Sequence, residues 1–174
     1  MEFAKGLLQA YDKKWSYVNS FTVQIQVGPL TKTLIPSTAN LELEDINLNI
    51  ISIDTPQFTN QNIEVYVGDQ WKIHNGRDEL YRYSITFRDE SQMSLYKQFV
   101  KMYQLQKTAY FDQVKMDITL FKDADYYNET NKVVMNMSES MIDSVSQVQF
   151  SNNTENQIAE FTVQFKCTTP EVGV

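Results

Sequence analysis

Residues 159–167 read AEFTVQFKC. Ala159, Phe161, Val163, Phe165 and Cys167 alternate with Glu160, Thr162, Gln164 and Lys166. Successive side chains of a strand point to opposite faces, so this period of two describes a strand with one face buried and one in water. A helix would place its apolar residues three and four apart instead. Residues 81–88, YRYSITFR, have the same design, with Tyr81, Tyr83, Ile85 and Phe87 on one face and Arg82, Ser84, Thr86 and Arg88 on the other.

Working outward from these two segments, the alternation recurs along the chain. Phe21, Val23, Ile25 and Val27 alternate with Thr22, Gln24 and Gln26, and Gly28-Pro29 ends the run. Ile46 to Ile53 is expected to be another strand, broken by Asp54-Thr55-Pro56. Ile63–Val67 and Gln70–Ile73 flank Gly68-Asp69 and read as a hairpin within a longer excursion from Asp54 to Glu79. Val114, Met116, Ile118 and Leu120 form a further run, Met135 and Met137 a weaker one, and Val145, Val148 and Phe150 suggest one more.

Two stretches break the period. Residues Glu2 to Asp12 place Phe3, Leu7, Leu8 and Tyr11 at helical spacing. A longer helix is expected over about residues 90–106, where Leu95, Tyr96, Phe99, Val100, Met102 and Tyr103 form an apolar stripe. Asp89 or Ser91 is placed to accept its first backbone N–H groups, and Glu90 suits the positive end of its dipole. The stripe reads as core rather than as a partner-binding face. Together these elements predict a mainly β (α+β) fold. It is a single β-barrel or sandwich of about seven or eight strands, with one packed helix and a long hairpin at about 54–79. The 174 residues fit one domain spanning 1–174, because domains cluster at roughly 100–200 residues.

Composition narrows the chemistry. The net charge is −7 and Lys/Arg residues do not cluster, which argues against a protein that grips nucleic acid through phosphate. The lone Cys167 sits on an apolar strand face and reads as a small core residue. The lone His74 precedes an Asn-Gly turn signal and is expected at the surface in that turn. Asp123, Asp125, Asn128 and Glu129 gather oxygen ligands but lack the spacing of a calcium loop. Glu42 and Glu44 are expected to share one strand face and to mark solvated surface. Five scattered glycines make no phosphate cradle. No catalytic, cofactor or metal site is therefore expected. The start of the chain lacks the apolar core of a signal peptide, and no run approaches the ~20 apolar residues of a membrane span.

The order of the pieces carries a resemblance. NSFTVQIQV is followed by LIPSTANLELEDINLNIISIDTPQ, then by the hairpin FTNQNIEVYVGDQWKIHNGRDE. YRYSITFRDESQMSLYKQFVKMYQ joins a strand directly to the helix, and MIDSVSQVQFSNNTENQIAEFTVQFKC closes the chain. This plan resembles the tail tube proteins of contractile-tailed bacteriophages, of the T4-like kind, and is similar to the tube proteins of type VI secretion systems. The resemblance implies a structural, non-enzymatic virion protein without cofactors, assembled in the host cytoplasm. Its copies would form hexameric rings stacked into a tube inside a contractile sheath. Partners would be the sheath, baseplate, tail terminator and tape-measure proteins, with genomic DNA passing through the lumen without sequence-specific binding. The hairpin is the candidate for reaching a neighbouring subunit or ring, with Phe58, Val65, Tyr66 and Trp71 as anchors. Acidic residues are expected to outnumber basic ones on the lumen wall, because repulsion keeps a polyanion sliding. Alternatives are a baseplate protein that initiates the tube, a type VI secretion tube and a β-barrel binding a small ligand.

Overall fold

The structure, a computed structural model, describes residues 21–42, 44–58, 62–67, 70–75, 80–89, 93–122, 132–148, 159–168 and 170–173. The 81–88 and 159–167 segments lie side by side. β5 (Tyr81–Arg88) and β8 (Glu160–Cys167) pair antiparallel from Tyr81↔Cys167 to Arg88↔Glu160. Tyr83, Ile85, Phe87, Phe161, Val163, Phe165 and Cys167 all lie on the buried face, as the alternation requires.

The other strands are β1 (Phe21–Val27), β2 (Ile50–Asp54), β6 (Met116–Lys122), β7 (Lys132–Val145) and β9 (Pro170–Val172). With β5 and β8 they form one antiparallel seven-stranded sheet in the order β1-β6-β7-β8-β5-β2, with β9 beside β7. β3 (Asn62–Val67) and β4 (Gln70–Asn75) form a separate two-stranded hairpin within the 54–79 excursion. The sheet is open: β1 and β2 are its two ends, so it is not a closed barrel.

β7 is the corner. Residues 132–140 pair with β6 and residues 141–145 pair with β8. Between them Glu139 adopts φ 54°, the left-handed region that non-glycine residues rarely enter. The buried residues of β7 are Met135 and Met137 before it, then Ser140 and Ile142 after it. One inserted residue thus turns the strand while keeping the same side inward, as a bulge does where a strand passes between two sheets. Asp117 Oδ1 accepts the Glu139 N–H at 2.9 Å, and the Glu139 carboxylate accepts Lys115 Nζ at 3.0 Å. That carboxylate raises the Lys115 pKa above its ordinary value. The inner faces of the two halves share one core.

The corner is also tied across the core by a polar relay. Tyr83 OH donates to Ser140 Oγ at 2.6 Å, and Ser140 Oγ donates to the Met137 carbonyl at 2.7 Å. Both side chains are buried, so each hydroxyl needs these partners. Burial pushes the Tyr83 pKa well above its ordinary value.

Three helices are described: α1 (Pro29–Leu34), α2 (Ser94–Gln106) and α3 (Phe111–Val114). α2 begins later than the sequence suggests. Met93, at φ 54°, precedes it, and Asp89 supplies the cap from further back. Its carboxylate accepts the N–H groups of Leu95 at 3.3 Å and Tyr96 at 2.9 Å. Leu95, Phe99 and Met102 are buried, and Phe99 packs on Phe87, Phe161 and Phe165 with ring centroids 4.8–6.3 Å apart. The stripe is core, as its spacing implies.

The strand expected from Ile46 to Ile53 is corrected. Residues Pro36–Glu42 and Glu44–Asn49 are 3-10 helices, and β2 begins only at Ile50. Short amide side chains explain this, because they offer the backbone of other strands their own hydrogen bonds. Asn47 Oδ1 accepts the Val23 N–H, and Asn49 Nδ2 donates to the Arg88 carbonyl. The strand pairing of Glu42 with Glu44 falls with it, since each lies in a different 3-10 helix. His74 lies within β4 opposite Ile63, not in a turn. The helix expected over 2–12, residues Gly68, Asp69 and Gly76, and the acidic loop with Asp123, Asp125, Asn128 and Glu129 lie outside the described residues.

Candidate assembly interface

An open sheet leaves strand edges with backbone groups to satisfy, so those edges are where a partner would add. The two end strands are treated differently by the chain itself. Along β1, the Val23 N–H donates to Asn47 Oδ1 at 2.7 Å and the Val27 N–H donates to Glu42 Oε1 at 3.3 Å. Both acceptors belong to the 3-10 segments, which are anchored by buried Leu41 and Ile46. Lys32 Nζ holds Glu42 Oε1 at 2.7 Å. The β1 edge is therefore covered from within.

β2 has no such cover among the described residues. It pairs with β5 through Ile50↔Phe87, Ser52↔Thr86, Ile53↔Ile85 and Asp54↔Ser84, with a register shift between Ile50 and Ser52. Ile51, Ser52 and Asp54 are exposed. Beyond its end, Phe58 is 53% exposed and rests on Tyr81, with ring centroids 5.4 Å apart. Leu80 beside it is also exposed. Of the four anchors expected from sequence, Phe58 is thus an exposed ring at the base of the hairpin. Tyr66 pairs with Trp71 and Val65 with Lys72 in the β3–β4 register, and the side chains of these residues lie outside the described residues.

A third edge was not expected from sequence. β9 pairs with β7 through Met135↔Val172, Asn136↔Glu171 and Met137↔Pro170. Gly173 closes it: its N–H donates to the Val134 carbonyl at 3.0 Å, and a Cβ there would fall 1.9 Å from the Val133 carbonyl oxygen. Exposed Val133, Val134 and Val172 border this edge. A three-residue strand is too short for an alternation pattern, so the glycine was the one available signal.

The lone thiol does not belong to a reactive site. Cys167 is buried on β8, and burial pushes its pKa up to about 11. A thiol so held stays protonated and unreactive at neutral pH. Among the described residues no group of three or more His, Cys, Asp or Glu is arranged to hold a metal ion. Nor, among them, is any helix long and apolar enough to cross a membrane.

The whole plan recurs in solved structures. The fold is shared with components of contractile injection systems. The tube-terminating cap of the anti-feeding prophage superimposes with a TM-score of 0.61 at 15% identity, covering 92% of this chain and 93% of that one. The sheath/tube terminator of the extracellular contractile injection system PVC gives 0.60 at 17% identity, covering 92% and 97%. A chain of the PVC sheath-tube complex in its extended state gives 0.59 at 15% identity, covering 95% and 97%. At such identities the likeness is one of fold. No family model matches the chain, and no curated protein matches it.

Proposed function

We propose that this chain is the ring-forming subunit of a contractile tail tube, a structural protein without catalytic activity. The observation that carries the reading is a sheet with one end covered and, among the described residues, the other end open, in a fold shared over nearly its full length with cap, terminator and sheath-tube components. A ring closes head to tail when each copy presents two different surfaces, and unlike ends satisfy that requirement. Six copies close the ring, rings stack into a tube, and the sheath, baseplate, terminator and tape-measure proteins are its partners in the virion. Genomic DNA passes through the bore without sequence-specific binding.

The open β2 edge and the Asp54–Glu79 excursion form the contact to the next copy or ring. Phe58, Val65, Tyr66 and Trp71 are its anchors, the large side chains on which such interfaces concentrate their energy. A terminator or cap is the second reading, favoured by the likeness to two proteins so described.

Negative-stain electron microscopy of the purified protein separates the readings. Stacked rings with a central channel and variable length support the tube, and single rings that never stack support the terminator. A compact monomer at every concentration rejects both.

A further inference from the structure

A ring subunit has one side that faces the bore, and the charges on this chain single out one. Across the first half of the sheet, Gln24, Thr119, Asn136 and Glu171 form a row through β1, β6, β7 and β9. Gln26 and Asp117 form the next row. These residues alternate with the buried Ile25, Ile118 and Met137, so they share the outward face. Thr119 Oγ1 donates to Asn136 Oδ1 at 3.2 Å. The two rows hold amides, a hydroxyl and two carboxylates, and no ammonium or guanidinium. Of the lysines that border these rows, Lys115 at one end is taken up by Glu139 at 3.0 Å and Asp112 at 3.5 Å, and Lys122 and Lys132 stand opposite each other at the other end of the β6–β7 ladder.

The other two broad sides differ. On the outward face of β5 and β8, Arg82 and Lys166 share Asp143 at 3.6 and 3.2 Å, and Arg88 meets Glu160 at 3.4 Å. The Arg82 side chain is 74% exposed. α2 carries Lys101, with Lys107 just after it, and has no carboxylate between Ser94 and Gln106. Repeated around a ring, the exposed Arg82 on the β5–β8 face and the lysines at the end of α2 would meet a passing polyanion, and cations near phosphate bind by releasing its counterions. A surface without them leaves a polyanion repelled and free to slide.

From this contrast we propose that the outward face of β1, β6, β9 and the first half of β7 lines the bore, while the β5–β8 face and α2 turn away from it. The assignment rests on the ring reading above.

The test uses single cysteines in the full chain, with buried Cys167 left in place as an unreactive background. Gln24→Cys and Gln164→Cys replace exposed residues on the two outward faces. Each is labelled with a mercurial after assembly, and the metal is located in averaged electron-microscopy cross-sections. The expected result is density against the channel wall for Gln24→Cys and away from the channel for Gln164→Cys. Mercury from Gln24→Cys on the outer surface overturns the assignment and leaves the ring intact. So does a folded Gln24→Cys chain that no longer forms rings when Gln164→Cys does, because that places Gln24 between subunits. Failure of the unsubstituted protein to form rings overturns both proposals.

Discussion

β1 and β2 stand at opposite ends of the same sheet, yet among the described residues the chain covers one edge and leaves the other bare. Thirteen residues of 3-10 helix lie against β1 and cover two of its backbone N–H groups with Asn47 and Glu42. β2 follows these segments directly, is five residues long and exposes three of them. Each strand has a neighbouring strand on one side only, so strand geometry alone does not explain the difference. Covering one edge prevents a second copy from adding there, which directs addition to the other. The lesson is that polarity between neighbours can come from what a chain hides as well as from what it displays.

The contrast breaks most forcefully at its anchor. Leu41 is fully buried and holds the first 3-10 segment to the core. Leu41→Ala is expected to cost about 2–5 kcal/mol in urea unfolding, the range for truncating a packed leucine. Destabilisation of that size should come with self-association through β1, read by light scattering in the native baseline.

A weaker perturbation acts on the opposite side, where β8 supports β5 and β5 supports β2. The Cys167 pKa of about 11 in the folded protein lies above its ordinary value of 9.0. Stability from the protonated thiol is therefore complete below pH 9 and is lost as pH rises towards 11. The expected slope in that window is about 1.4 kcal/mol per pH unit. Tyrosines and lysines also titrate there, so the measurement is the difference between the native chain and Cys167→Ala in denaturant melts. Equal slopes would refute the assignment.

The cover on β1 can then be removed one bond at a time. Asn47→Ala takes away the acceptor of the Val23 N–H and should cost about 1 kcal/mol, the net value of such a hydrogen bond. Hydrogen exchange at the Val23 amide should quicken, and Asn47→Asp, which keeps an acceptor oxygen, should restore protection. The smallest effect on folding is expected at the open end. Ile51→Lys alters an exposed side chain, so unfolding should shift by less than about 0.5 kcal/mol. Ring formation should nevertheless be lost, measured by sedimentation velocity. Intact rings would show that β2 is not the edge in use.

How much of this was legible from residues depends on what each segment does. β5, β8 and α2 follow their period because each has one buried face and one wet face along its whole length. Asp89 was readable as a cap, although it reaches the helix across several residues. Met135 and Met137 gave only a weak run because the buried side changes from odd to even positions at Glu139. No fixed alternation survives such a change, so the longest strand of the fold left the faintest pattern. Ile46 and Leu48 misled for another reason: tertiary hydrogen bonds from Asn47 and Asn49 override their spacing, leaving Ile46 buried and Leu48 84% exposed. The hairpin anchors rest on size and apolar character; Phe58 is an exposed ring, and the side chains of Val65, Tyr66 and Trp71 lie outside the described residues.

Glu139 has a consequence for how this chain tolerates changes in length. Among the described residues β3 and β4 pair only with each other, so residues added or removed in that hairpin leave the seven-stranded ladder in register. β7 behaves like a screw thread with one deliberate skipped tooth. Removing that residue would set the two halves out of phase, and either the paired methionines or Ser140 with Ile142 would be driven into water. A single-codon deletion at this point would therefore be a global lesion, whereas a larger one in the hairpin would leave the body of the protein standing.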